Sequence, residues 1–339
     1  MDKMRNILFT LLSAALFAAC TQDEPADRRG EPLPEGQYPL ELTASIFGAE
    51  ATPSGISTRA TTDGTWKTGD KIYMQVASKD EYGDESRVNW TNIPILCYTV
   101  GSDGKSLAFD PDNQRPQPYW TSTGDQKFIR AWYRGDGSKD LPGDYSVQED
   151  QSSGDNYEKS DFLYAHATIG FRDQTKKLTF YHQLAKVVVN IRKSEEVKFD
   201  IRTVEAIVIK TGNFTLLPVE SSYGSWNSNT TERNIKLKNV QPANKADFGS
   251  GEEDALASYE AIVIPQTIDN YTSQDLFSII VDGYNNDFYY ERPDTAITWK
   301  PGHVYTYNIT ITPTGLQVKV SEDGMTWGNG TSGSGTVTI

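Results

Sequence analysis

The chain has 339 residues, 37% of them hydrophobic and 23% charged; the length suggests two domains, and the composition is too polar for a membrane bundle. Its 32 basic and 46 acidic residues leave a formal net charge of −14, which disfavours nucleic acid as a partner because the phosphate backbone would be repelled. Glycine (27), proline (16) and tyrosine (18) against only 4 methionines favour strands and turns over long helices.

At the start of the chain, Lys3 and Arg5 form a basic patch, and Ile7 to Phe17 form an apolar run too short to span a bilayer. Ala18 and Ala19 then precede Cys20. Residues 1–20 resemble a bacterial lipoprotein signal, which makes Cys20 the lipidated residue, although Leu16 stands four residues before it instead of the usual three. Thr21-Gln22-Asp23-Glu24 resembles the acidic export signal of Bacteroidetes surface lipoproteins and implies the outer face of an outer membrane. Residues 21–37 end in Gly30, Pro32, Pro34 and Gly36 with charges between them, the composition of a tether.

Leu40, Leu42, Ala44 and Ile46 alternate with Glu41, Thr43 and Ser45, the period of a half-buried strand. Gly48 to Gly64 is small, polar and broken by Pro53 and Gly55, so it reads as an exposed loop in which Arg59 is the only basic residue. From Trp66 onward, short β-rich runs such as Ile72–Val76, Phe128–Tyr133, Val187–Ile191, Ala206–Ile209, Ala261–Ile264, Phe277–Val281 and Tyr305–Ile311 recur. Turn pairs punctuate them, among them Asp63-Gly64, Asp103-Gly104 and Asp136-Gly137. This pattern predicts an all-β protein of antiparallel β-sandwiches. Asp254 to Ser258 is the one stretch that suggests a helical turn. Near the end, Leu316, Val318 and Val320 alternate with polar residues. A Gly/Ser/Thr stretch over 328–335 follows, and Thr336-Val337-Thr338-Ile339 forms a last alternating strand.

Nothing in the sequence calls for catalysis, a cofactor or a metal. The three histidines, His166, His182 and His303, share no zinc-ligand spacing, and His182 reads as a structural side chain at a strand end. Gly104-Lys105-Ser106 ends like a phosphate loop, but Thr99 stands where that motif needs glycine, so a hairpin turn is expected there. Asp110-Pro111-Asp112-Asn113 and Asp282 to Asp287 offer oxygen ligands for calcium, yet they read as plain turns. Cys97, in an apolar run, is expected to be a small buried hydrophobe. Trp66, Trp90, Trp120, Trp132, Trp226 and Tyr119 could stack on sugars, which supports an alternative reading as a monomeric, surface-anchored glycan-binding lipoprotein.

Four segments together carry a family resemblance. They are Ser57 to Ile72 with its Trp66-Lys67-Thr68-Gly69-Asp70 core, Ser160 to Ala165 leading to Leu178–Val187, Val263 to Thr267, and Trp299 to Ile309 with Trp327 beyond. In this order they resemble the fimbrillin-like (Mfa-like) family of Bacteroidetes, whose members build type V pili. The resemblance implies two transthyretin-like β-sandwich domains in tandem, at 38–183 and 184–339, and a pilin, stalk or tip, that supports adhesion and is not an enzyme. It implies lipid attachment through Cys20 to the outer membrane before processing. It also implies an Arg-specific protease as partner, cutting after Arg59 so that Ala60 becomes the first residue. Further partners are other fimbrial subunits and a host or bacterial surface ligand. Physically, removing residues up to 59 would take one strand from the first domain and leave an open groove, which a neighbour's strand could refill. Leu316, Val318, Val320, Val337 and Ile339 are the candidate donor-strand residues.

Overall fold

The computed structural model describes residues 38–48, 61–197, 201–215, 222–242, 255–268, 276–281, 288–290, 296–313, 315–323 and 337–338. Cys20, Arg59, Ala60, Ile339, Trp327 and the Asp282–Asp287 turn lie outside them. Among the described residues no helix is long and apolar enough to cross a membrane.

Seven strands build the barrel of the first half: β1 (Leu42–Ile46), β2 (Lys71–Ser78), β3 (Leu96–Val100), β4 (Ser106–Phe109), β5 (Gln126–Arg134), β6 (Phe162–Gly170) and β7 (Lys177–His182). They are hydrogen-bonded in the order β7-β1-β4-β3-β2-β5-β6, and β6 pairs back onto β7, so the ladder closes into a barrel. The expected hairpin joins β3 to β4: Asp103 Oδ1 accepts the Lys105 and Ser106 N–H groups, and Gly104 supplies the positive φ. The sequence predicts a two-sheet sandwich with antiparallel pairing. The first half instead closes on itself, and β1 runs parallel to β7.

The second half is carried by β8 (Ala185–Lys193), β9 (Ile201–Thr215), β10 (Ser225–Lys236), β11 (Lys238–Val240), β12 (Ala257–Val263), β13 (Phe277–Val281), β14 (Phe288–Tyr290), β15 (Val304–Thr312), β16 (Gly315–Asp323) and β17 (Val337–Thr338). One sheet has the order β11-β12-β8-β15-β16-β17, with β8 and β15 parallel; the other has the order β10-β9-β13-β14. Side chains from both sheets meet in one core, including Val187, Val189, Ile235, Phe277, Ile279, Tyr307 and Ile309. Of the stretch suggested as a helical turn, Asp254 lies outside the described residues, and Ala257 and Ser258 belong to β12 and pair with β8 instead. The strand's ladder overrides a weak local preference. Among the described residues, single α-helical turns occur at Lys79–Tyr82 and Asn156–Lys159, and 3-10 turns at Thr61–Asp63, Glu85–Arg87 and Trp90–Asn92.

Strands β5 and β6 form a wall shared by the two halves. Ile129, Ala131, Leu163, Ala165 and Ile169 face the barrel core, whereas Trp132, Phe162 and Tyr164 face the second core. Burial on both faces explains why these strands read as near-continuous apolar runs instead of alternating ones. The connection between β5 and β6 also leans on the second half. Asp144–Tyr145 pairs with Gly212 and Asn213 of β9, and the Gln151 amide bonds both the N–H and the C=O of Ile262 on β12. Gly135, at the start of this connection, lies so close to the Glu158 carbonyl that a Cβ would overlap it. Only glycine fits there.

Candidate functional site

The feature with most functional content is β1 and its surroundings. Leu40, Leu42, Ala44 and Ile46 are all buried in the barrel core, while Glu41 and Thr43 are exposed, as the alternation predicts. The strand is held on both sides. Toward β4, Leu42 faces Leu107 and Thr43 faces Ser106, and the Ala44 N–H donates to the Lys105 carbonyl at 2.8 Å. Toward β7, residues 43–46 pair with 177–180, and the Thr43 and Phe47 N–H groups donate to Lys176 and Phe180. Just upstream, Tyr38 and Pro39 pair with Trp120 and Tyr119. The three larger side chains, Leu40, Leu42 and Ile46, contribute on the order of 2 kcal/mol each by burial, and the barrel depends on them for closure.

Residues 49–60 separate β1 from the next described segment. That segment is firmly seated: Thr61 and Thr62 are buried, and the Trp66 ring packs edge-on against Phe180 at 5.1 Å and Tyr133 at 5.5 Å. Chain on either side of 49–60 is therefore fixed in the barrel. The anchoring of Thr61 and Thr62 is not legible in the sequence, because small polar residues there read as loop.

At the other end of the chain, β16 is paired with β15 along its whole length, from Val304↔Asp323 to Thr312↔Gly315. Val318 and Val320 are buried, and Leu316 packs partly against the second core. The tail strand β17 pairs with β16 through Val337↔Val320 and Thr338↔Lys319. Leu316, Val318, Val320 and Val337 therefore sit together at one edge of the second half's sheet, in their own chain, and Ile339 lies outside the described residues.

The three histidines each have a hydrogen-bond partner within the chain. His182, at the end of β7, places Nδ1 2.9 Å from Asp161 Oδ1, both groups buried. His166 meets Glu85 at 2.6 Å, and His303 Nδ1 faces the Pro301 carbonyl at 2.9 Å. Among the described residues no three potential ligands cluster to hold a metal ion. In the Asp110–Asn113 turn, Asp110 Oδ1 accepts the Asp112 N–H within the turn, and Asn113 Oδ1 accepts the Cys97 N–H of β3. Cys97 departs from expectation. It is half-buried, and burial together with the nearby Asp110 carboxylate pushes its thiol up to about 11, which makes it a poor nucleophile at neutral pH. Three aromatics of the sugar-stacking reading, Trp66, Trp120 and Trp132, are buried in the two cores and cannot present a face. Trp90 is covered by the Arg130 guanidinium at 4.1 Å from its ring, whereas Tyr119 is exposed.

Comparisons with known proteins agree with this architecture. A family model described as fimbrillin-like matches residues 58–331. Among solved structures, the chain is similar to a candidate cell adhesion protein from Bacteroides ovatus, with 17% identity and a TM-score of 0.55 over 85% of this chain and 98% of that one. It is also similar to a candidate cell adhesion protein from Bacteroides uniformis, with 18% identity and a TM-score of 0.54 over 86% and 100%. No curated protein matches the sequence.

Proposed function

The chain belongs to the fimbrillin-like family, and from that premise we propose that it is the lipoprotein precursor of a pilin, acting as a structural or tip subunit that supports adhesion. Family membership supports a structural role in cell-surface fimbriae, in association with other fimbrial subunits. On this reading the chain is exported with lipid on Cys20, and an Arg-specific protease cuts after Arg59, leaving Ala60 at the new end. The subunit is organised as two β units, 38–183 and 184–339, the second a transthyretin-like sandwich. The segment 144–157 reaches from the first unit onto the second.

One observation carries the reading. β1 is an internal strand of a closed barrel, yet the chain between it and the seated Thr61 contains the arginine at which a cut would free it. Once cut, β1 is held by hydrogen bonds and apolar contacts alone. Its loss would leave two unpaired ladders and an apolar slot, a state that favours refilling by a strand from another subunit. The candidate donors Leu316, Val318, Val320, Val337 and Ile339 lie at the opposite end of the chain. Head-to-tail linkage of this kind is heterologous and need not close, so it extends as a filament.

The test is N-terminal sequencing of protein released from cells, combined with gels run without boiling. A start at Ala60 and a ladder of oligomers are expected, and Arg59→Ala should abolish both. A different mature start would overturn the cleavage site. A clipped product that stays monomeric in the presence of its co-expressed fimbrial subunits would overturn strand exchange.

A further inference from the structure

Resting on the strand-exchange reading above, we infer that the barrel slot left by β1 selects a strand with a methyl-sized side chain at the Ala44 position, and that the occupant comes from a different subunit, not from a second copy of this chain.

Three constraints define the occupant. The first is direction. The slot lies between β4, to which β1 is antiparallel, and β7, to which it is parallel, so only one orientation of an incoming strand reproduces both ladders. The second is the backbone. The N–H groups at positions 40, 43, 44 and 47 donate to the carbonyls of Pro118, Lys176, Lys105 and Phe180, so proline is excluded at each of them. The third is size. Ala44 is only 2% exposed, stands between the inward Leu42 and Ile46, and faces Leu178 across the parallel ladder. Leu178 and Phe180 are both fully buried, and the Phe180 ring is pinned by Trp66. Close-packed neighbours of this kind leave a methyl at position 44 and little more. The required inward pattern is large, large, small, large.

The chain's own C-terminal strands do not meet that pattern. If Leu316, Val318 and Val320 face inward from position 40, then Val320 meets the Ala44 slot and Glu322 the buried Ile46 slot. If the segment is shifted by two residues, Val318 meets the Ala44 slot and Thr314 the Leu40 slot. A shift by one residue turns Gln317 and Lys319 into the core. With Val337 and Ile339 inward, one register puts Val337 on the Ala44 slot with Gly333 and Gly335 in the first two slots; another puts Ile339 on the Ala44 slot. The pair by itself offers two apolar side chains to a slot with four inward positions. This slot is thus shaped for another subunit's strand, which makes the contact heteromeric and suppresses self-association.

The experiment uses the full chain carrying a site-specific protease site within residues 50–58, clipped there and freed of its own β1 segment by mild denaturation. Fluorescent peptides are then added and binding is read by anisotropy. The peptides are the 38–47 sequence, its Ala44→Val and Ala44→Leu variants, and the chain's own 314–322 and 332–339 segments. The unaltered 38–47 peptide should bind, with the Ala44→Val peptide roughly 5- to 150-fold weaker and the Ala44→Leu peptide weaker still. Both tail peptides should bind at least as poorly as Ala44→Val. Equal binding by the Ala44 variants would overturn the size filter. Tail peptides that match the 38–47 peptide would overturn the different-subunit occupant. If even the 38–47 peptide fails to bind the emptied barrel, the strand-exchange reading itself falls, an outcome distinct from the other two.

Discussion

β1 and β17 are both strands, but they are built into the molecule differently. β1 lies inside a closed ladder with partners on each side and its inward residues in the barrel core. β17 lies at a sheet edge and pairs on one side, through two residues. Losing an internal barrel strand leaves two rows of unpaired backbone groups and an open core. Losing an edge strand only moves the edge inward by one strand. A protein that exchanges strands needs both: an acceptor that is costly to leave empty, and a tail that is cheap to release.

The sharpest way to break this comparison is to attack the barrel wall next to the site. Asp125, just before β5, is buried; it pairs with Lys127 at 2.7 Å and accepts from Thr121 and Ser78. Asp125→Ala should cost about 3–5 kcal/mol in urea unfolding, because it strands a buried ammonium. Leu42→Ala, inside β1, should cost about 2–5 kcal/mol, and a value near zero would mean that β1 does not close the barrel. Acid should act in the same direction as Asp125→Ala. Burial pushes the Asp125 and Glu260 carboxyls up. For Asp125 the bonds from Lys127 and Thr121 outweigh it, and for Glu260 those from Lys186 and Tyr157 do, so both end below their ordinary values of 3.8 and 4.5. Their stabilisation is complete above that range and is lost as pH falls through the lowered values. The thermal midpoint should therefore drop on acidification below about pH 4, and Asp125→Asn should reduce that dependence.

At the other end the expected effects shrink. Val320→Ala on β16 removes a buried side chain from a strand paired on both sides and should cost about 2 kcal/mol. Deleting residues 337–339 should change stability by about 0.5 kcal/mol or less. If the deletion costs as much as Leu42→Ala, the tail is a structural strand and not a releasable one.

Much of this was legible from the chain itself, and what was not has a physical reason. Alternation at Leu40, Leu42, Ala44 and Ile46 marks a strand with one buried face, because the side-chain period of two is local. The Asp103-Gly104 turn is legible for the same reason, since its hydrogen bonds span three residues. The double burial of β5 and β6 was present only as apolar residues at successive positions (Phe128-Ile129, Ala131-Trp132 and Phe162 to Ala165), which do not say what covers each face. The roles of Gln151, whose side chain clamps Ile262 111 residues away, and of Gly135, squeezed against Glu158, left no local mark.

The division follows the range of the forces involved. Sequence alone determines the all-β class, the turn chemistry, the inward faces of the strands and the family resemblance, because each depends on residues a few positions apart. Tertiary structure decided the parallel seating of β1 beside β7, the closure of the barrel, the wall shared by two cores, and the burial of three tryptophans that could otherwise have faced a ligand. Those outcomes depend on which distant segment comes to lie alongside, and a period of two repeats identically whether a strand's neighbour runs up or down.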